Sequence, residues 1–227
     1  MSDESDTIPF EAVLFDFDGT LIDTCELIRV SFRYATRVVL GEAVPDEVLT
    51  RNVGAPLIEQ MEEIAPGRGR ELVEVYREFN HAKHDELTRP FDGVEEMLRH
   101  LQGAGVPLGV VTSKGRVAVQ LGVDLIGLDR FTDTVITADD VEIHKPDPHP
   151  LLVAAERLGV DIRQTMYVGD SPHDVASANA AGAVSVAALW GMFTEEQLLA
   201  ASPDELAMRP SDVVEIFERR RVKAGRA

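Results

Sequence analysis

Two carboxylates two residues apart, Asp16 and Asp18, follow the apolar run Ala12-Val13-Leu14-Phe15 in the segment Phe15-Asp16-Phe17-Asp18-Gly19-Thr20-Leu21. Carboxylates at the mouth of a buried strand are costly unless something positive sits beside them. In open α/β sheets that end of the strand is where ligands bind. A second apolar run, Leu108-Gly109-Val110-Val111, ends in Thr112-Ser113-Lys114. Ser113 there could cap a following helix, and the same geometry aims hydroxyl and backbone N–H groups at an anion. Lys145 stands in His144-Lys145-Pro146-Asp147-Pro148, where two prolines hold it as a positioned point charge rather than a waving surface lysine. The run Met166-Tyr167-Val168 leads into Gly169-Asp170-Ser171-Pro172-His173-Asp174, a further carboxylate pair at the start of a helix. Successive strand ends thus deliver a carboxylate pair, a hydroxyl, a lysine and a second carboxylate pair. Capping or surface roles account for each alone, but not for all four together. They describe an active site.

These groups need a scaffold that gathers strand ends. Five apolar runs read as strands: 12–15, 108–111, 135–136, 166–168 and 184–188. Continuous rather than alternating apolarity suits strands covered on both faces, as in a parallel sheet. Helical spacing separates them, in Val94, Met97, Leu98 and Leu101, with Asp92 expected as N-cap and Glu95 three residues on. It recurs in Leu151, Leu152, Ala155 and Leu158. Strand–helix alternation implies an α/β class, a Rossmann-like parallel sheet with right-handed crossovers. Residues 24 to 88 break that rhythm, with helical patterns only: Leu27, Ile28, Phe32, Ala35 and Val39; Leu57, Met61 and Ile64; Leu72, Val75, Tyr76 and Phe79. The expected organisation is an α/β core from 10–22 and 89–227, a helical module over 23–88, and a flexible tail over 1–9.

With 22 basic against 40 acidic residues the net charge is −18, which argues against duplex nucleic acid as a partner. It also means that a phosphate substrate would need a metal or local basic groups. Only four of the basic residues are lysine. One cysteine, Cys25, excludes a disulfide framework or a thiolate zinc cluster and reads as a packed residue. No run approaches the roughly 20 apolar residues of a membrane span, and Met1-Ser2-Asp3-Glu4-Ser5-Asp6 is acidic where a secretory signal is basic. A cytoplasmic protein without membrane partners is expected, as monomer or homodimer. Of the histidines, His81, His84, His100, His144 and His149 read as surface residues, and His173 stands within the fourth motif. The basic end Arg219-Arg220-Arg221-Val222-Lys223 reads as a last helical turn or as a docking signal.

The four motifs, in this order and spacing, resemble the haloacid dehalogenase-like superfamily of phosphohydrolases over residues 10–208. The resemblance implies Asp16 as nucleophile, Asp18 as general acid/base, and Thr112 and Lys145 as phosphate-binding groups. It implies Asp16, Asp18 and Asp170 as Mg2+ ligands with Asp174 nearby, and Gly19, Ser113 and Lys114 beside the substrate. Family dehalogenases lack the second aspartate, so Asp18 puts the chain on the phosphatase side. The helical insertion is similar to the superfamily's small α-helical cap. Its segment Arg51-Asn52-Val53-Gly54-Ala55-Pro56-Leu57 is similar to the cap loop of phosphoglycolate phosphatases. There Arg51 would either meet a carboxylate or second phosphate or stand as a solvated helix end; Arg116 is a further candidate. The expected activity is Mg2+-dependent hydrolysis of a small phosphate monoester through an aspartyl phosphate, nearest phosphoglycolate phosphatase. Inorganic pyrophosphatase, sugar phosphomutase and a non-catalytic binding module follow as alternatives.

Overall fold

The run Ala12–Phe15 forms β1, buried along its whole length, with Leu108–Val111 (β4) on one side and Thr165–Gly169 (β6) on the other. Thr134–Ile136 (β5), Val184–Ala188 (β7) and Glu205–Ala207 (β8) complete a six-stranded sheet in the order β5-β4-β1-β6-β7-β8. Every neighbouring pair in this sheet is parallel. This computed structural model describes residues 9–224. The expected tail therefore falls, apart from Pro9, outside the described residues.

Alternation along each strand divides the core into two layers. Val13 and Phe15 of β1, with Val110, Met166 and Val168, pack against Val94–Gly103 (α5), Arg116–Ile126 (α6) and Pro210–Ala224 (α10). Leu14, Val111 and Tyr167 point the other way, against His149–Leu158 (α7) and Pro172–Ala181 (α8). Helices on both faces explain the continuous apolarity of the strands. The chain runs outward from β1 through β4 to β5, then crosses back to β6, β7 and β8, so the strand order reverses at β1. A crevice opens at the carboxyl ends of such strands.

Between β1 and β4 the chain leaves the sheet through Ile22–Asp23 (β2) and returns through Arg89–Pro90 (β3), an antiparallel pair. Four helices lie between them: Cys25–Leu40 (α1), Asp46–Leu49 (α2), Leu57–Ile64 (α3) and Gly69–Leu87 (α4). They bury a cluster of their own, with Ile28, Phe32, Leu49, Met61, Leu72 and Tyr76 at its centre. The remaining helix, Glu195–Ala200 (α9), opens with a capping box between Thr194 and Gln197.

Several expectations are corrected. α5 starts after Gly93, which adopts φ +85°, and no side chain caps it; Asp92 lies one residue too early. Ser113 does not cap α6, which begins at Arg116 behind Gly115. β8 (Glu205–Ala207) and the β2–β3 pair (Ile22–Asp23, Arg89–Pro90) are short and carry charged residues or proline, so no apolar run announces them. His84 is buried rather than exposed, because Leu72, Tyr76, Asn80 and His84 fall at four-residue steps on the inward stripe of α4. Of the other four, only His100 is exposed; His81, His144 and His149 are half-buried. At the basic end the backbone is helical as far as Ala224, and Arg220 is buried over the Phe10 ring, 4.6 Å from its centroid. Arg219 pairs with Glu205 of β8.

Candidate active site

Four strand ends meet at the crevice. Asp16 follows β1, Thr112 follows β4, Lys145 sits on the loop between β5 and α7, and Asp170 follows β6. All four are buried, and all line one cavity of about 350 Å³ that runs between the sheet and the inserted helices. Asp18, Gly19, Ser113 and Lys114 line it as well.

Lys145 organises the floor. Its ammonium donates to Asp16 Oδ1 at 2.9 Å, Asp174 Oδ1 at 2.6 Å, Tyr167 Oη at 3.0 Å and the Val111 carbonyl at 3.3 Å. Burial works against its charge, but the carboxylates of Asp16 and Asp174 outweigh that and raise its pKa, so it stays protonated. Asp174 also accepts Tyr167 Oη–H on Oδ1 at 2.9 Å, and the Ser171 N–H and O–H on Oδ2 at 3.0 and 2.5 Å. Those donors, with Lys145, override burial and hold Asp174 below the usual carboxylate range. It also closes a capping box at the start of α8 with Ser171.

Asp16 and Asp170 are perturbed the other way. Burial, then the charge of Asp174, pushes Asp16 up despite Lys145. Burial, then the charges of Asp16 and Asp174, raises Asp170 well above the carboxylate range. Asp170 Oδ2 accepts the Met192 N–H at 2.7 Å. A side chain at Gly19 would collide with that carboxylate, its Cβ lying 2.1 Å from Oδ2. Gly19 therefore makes room for Asp170, a role beyond the substrate contact expected of it.

One oxygen from each of Asp16, Asp170 and Asp174 falls within 4.8 Å of the others. Both oxygens of Asp174 already carry donors, whereas Asp16 Oδ2 and Asp170 Oδ1 take no hydrogen bond from the described residues. Two buried, mutually repelling carboxylates with a free oxygen each are a hard-donor set suited to a divalent cation. Such an ion would relieve what raises both pKa values.

Asp18 is only partly buried. Its Oδ1 accepts from Thr24 Oγ1 at 2.7 Å and from Lys114 Nζ at 2.7 Å. The Thr112 hydroxyl accepts the Lys114 N–H at 3.2 Å, and the buried Ser113 Oγ has no hydrogen-bond partner among the described residues. Arg51 is exposed in the turn after α2 and outside the cavity wall, and Arg116 is engaged with Asp140. His173 is half-buried beside Gly54, and burial lowers its pKa. Cys25 is half-buried next to the Asp23 carboxylate, and burial raises its thiol pKa. Sequence reasoning missed Tyr167, Thr24, and the cavity-lining Arg77, Asn80 and His81 of α4. A tyrosine within an otherwise apolar strand was the one readable signal among them.

A haloacid dehalogenase-like hydrolase family model matches residues 13–188. The chain belongs to this family. Pyrophosphatase PpaX of Bacillus velezensis is 41% identical over 206 residues, covering 90% of this chain and 95% of that protein. A crystal structure described as a haloacid dehalogenase-like hydrolase from Bacteroides fragilis superposes with a TM-score of 0.83 at 26% identity, over 90% of this chain and 99% of that one. One described as a phosphoglycolate phosphatase from Lactobacillus plantarum gives 0.83 at 24% identity, over 92% and 100%; at that identity the likeness is one of fold. The chain is accordingly a hydrolase with an α/β fold, a phosphatase of the haloacid dehalogenase-like family, and its buried acidic cluster is of a kind that holds a divalent metal.

Proposed function

We propose that this protein is a Mg2+-dependent inorganic pyrophosphatase that works through an aspartyl phosphate on Asp16. The observation that carries the substrate is the 41% identity to PpaX of Bacillus velezensis along 95% of that protein. The phosphoglycolate reading rested on the loop from Arg51 to Leu57 and on Val168-Gly169-Asp170-Ser171; the loop lines the cavity from Val53 onward, but Arg51, its candidate anion-binding group, does not.

In the proposed reaction one carboxylate oxygen of Asp16 attacks a phosphorus atom, and the bond from that phosphorus to the bridging oxygen breaks. Asp18, at the cavity wall, gives a proton to the departing oxygen. In the second half it takes a proton from a water that attacks the aspartyl phosphate, which releases phosphate and restores Asp16. Lys145 and Thr112 hold the phosphoryl oxygens, and Lys145 fixes the attacking carboxylate through its 2.9 Å hydrogen bond. Asp16, Asp170 and the Asp18 carbonyl would hold the metal, with Asp174 anchoring Lys145 alongside. When bound, Mg2+ supplies positive charge that offsets the repulsion between an anionic nucleophile and an anionic substrate. Residues 23–88 act as a cap that excludes water from the cavity.

The test is phosphate release from pyrophosphate, phosphoglycolate, sugar phosphates and nucleotides, with Mg2+ and with chelator. A dominant kcat/KM for pyrophosphate, abolished by chelator and reduced at least about 1,000-fold by Asp16→Asn, is expected. Dominance of another substrate overturns the pyrophosphatase reading, and full activity of Asp16→Asn overturns the mechanism.

A further inference from the structure

The cavity has a second charged wall, away from the carboxylate floor. Arg77 and His81 stand one turn apart on α4, and Lys114 approaches from the loop after β4; all three line the cavity. A convergence of basic groups runs against the grain of a chain with net charge −18. Arg77 is exposed and makes no hydrogen bond or ion pair with a carboxylate among the described residues. His81 is half-buried, and its pKa is lowered by burial and then by the charges of Lys114 and Arg77, so both cations are close enough to be felt. Among the described residues, no acidic group of the cavity wall answers Arg77. Asp16 and Asp170 belong to the floor, and Asp139 is turned to the Arg116 N–H at 2.7 Å. Only Lys114 has a carboxylate partner, and that partner is Asp18.

Arg77 and Lys114 have only the Asp18 carboxylate between them, and an anion placed beside Arg77 supplies the counter-charge that it lacks. Arginine presents a planar fork suited to phosphate or carboxylate oxygens, and the neutral imidazole of His81 adds a donor. Lys114 places this wall next to Asp18, the carboxyl assigned to protonate the departing oxygen. We propose that Arg77, His81 and Lys114 form a subsite for a negatively charged leaving group, so that α4 selects phosphate compounds whose departing part is itself an anion. The inference rests on phosphoryl transfer at Asp16 as proposed above, but not on pyrophosphate being the substrate.

The test compares kcat/KM for pyrophosphate and phosphoglycolate, whose leaving groups are anionic, with that for 4-nitrophenyl phosphate, whose aryl group carries no charge while bound. Wild type, Arg77→Met and Arg77→Lys are assayed at saturating Mg2+. Loss of one charge-assisted hydrogen bond corresponds to roughly a 10–100-fold effect. The ratio of anionic-leaving-group to aryl substrate is therefore expected to fall by about that factor in Arg77→Met, chiefly through KM, and to recover in part in Arg77→Lys. A ratio that is unchanged, because all substrates fall together or none falls, overturns the subsite. Wild type that ignores pyrophosphate yet shows the same Arg77 dependence with phosphoglycolate supports the subsite and overturns the pyrophosphatase reading alone.

Discussion

Asp16, Asp170 and Asp174 bring three carboxylates into one buried cluster with Lys145 as its single buried ammonium. The charge count does not balance, and the imbalance falls on Asp16 and Asp170, whose carboxyls are pushed upward while Asp174 is held down. A divalent cation corrects it, and binding to the folded state alone raises stability by mass action. Adding millimolar Mg2+ to chelator-treated protein is therefore expected to raise Tm. Asp170→Asn, which keeps the shape and removes one of the two open carboxylates, should shrink that rise by at least half. An unchanged rise in the variant would mean that the ion binds elsewhere. The sequence already exposed this level well. Asp16, Asp18, Thr112 and Asp170 are placed by a hydrophobic run and its end, Lys145 by the prolines that follow it, and all of these are visible in one dimension. Arg77 and His81 were illegible for the opposite reason. They are polar residues on the polar side of an amphipathic helix, and only the docking of α4 over the sheet turns that side into a cavity wall.

At the scale of elements, the loop between α2 and α3 touches the core at Gly54. Gly54 has φ +106°, and a Cβ there would stand 2.8 Å from Ser171 Oγ and 3.2 Å from Ser171 Cβ. Gly54→Ala adds both a disfavoured backbone conformation, about 1–3 kcal/mol, and a collision with the residue that caps α8. The expected result is a fall of about tenfold or more in kcat/KM while the core keeps its circular dichroism; wild-type kinetics would show that the loop does not close on Ser171 during turnover. A second junction ties the loop after β5 to α6. Asp140 accepts the Thr137 N–H at 2.9 Å and Oγ1–H at 2.6 Å, and pairs with Arg116 at 2.5 Å. Burial would raise its pKa, but these partners outweigh that and bring it down to about 2. A depressed carboxylate stabilises the fold fully above its unfolded value near 4, and the contribution disappears as pH falls from 4 to 2. Asp140→Asn should flatten that part of the acid-unfolding curve, measured by denaturant midpoint at successive pH values. An unaltered curve would assign the acid sensitivity to other carboxylates. Strand identity was legible here wherever both faces are covered, as in β1, β4, β6 and β7. β8 and the β2–β3 pair were not, since Glu205, Asp23, Arg89 and Pro90 leave them no apolar run of the kind that Val135-Ile136 gives β5, and Asp92 misled because a left-handed Gly93 supplies the turn that a capping side chain would otherwise make.

For the molecule as a whole the dominant quantity is the net charge of −18, drawn from 40 acidic and 22 basic residues. Folding concentrates that charge, so self-repulsion weighs on the native state more than on the expanded one. The fold carries exposed ion pairs that salt would weaken, among them Arg68–Glu71, Lys83–Glu86 and Arg99–Glu95. Each is worth only about 0–1 kcal/mol, and together they engage few of the acidic residues. The two effects have opposite signs with salt. At about 0.1 M salt the Debye length is roughly 10 Å, short enough to quench repulsion between charges spread more widely over the surface, whereas pairs in direct contact lose less. Repulsion therefore wins, and Tm is expected to rise as sodium chloride goes from about 10 to 200 mM. The measurement belongs in chelator and without phosphate, so that neither a cation nor an anion loads the active site. A Tm that falls with salt would mean that the paired charges outweigh the excess. The same field repels anionic substrates at long range, which gives the local cations of the cavity their importance: attraction at Arg77, Lys114 and Lys145 has to act at contact distance against a surface of the opposite sign.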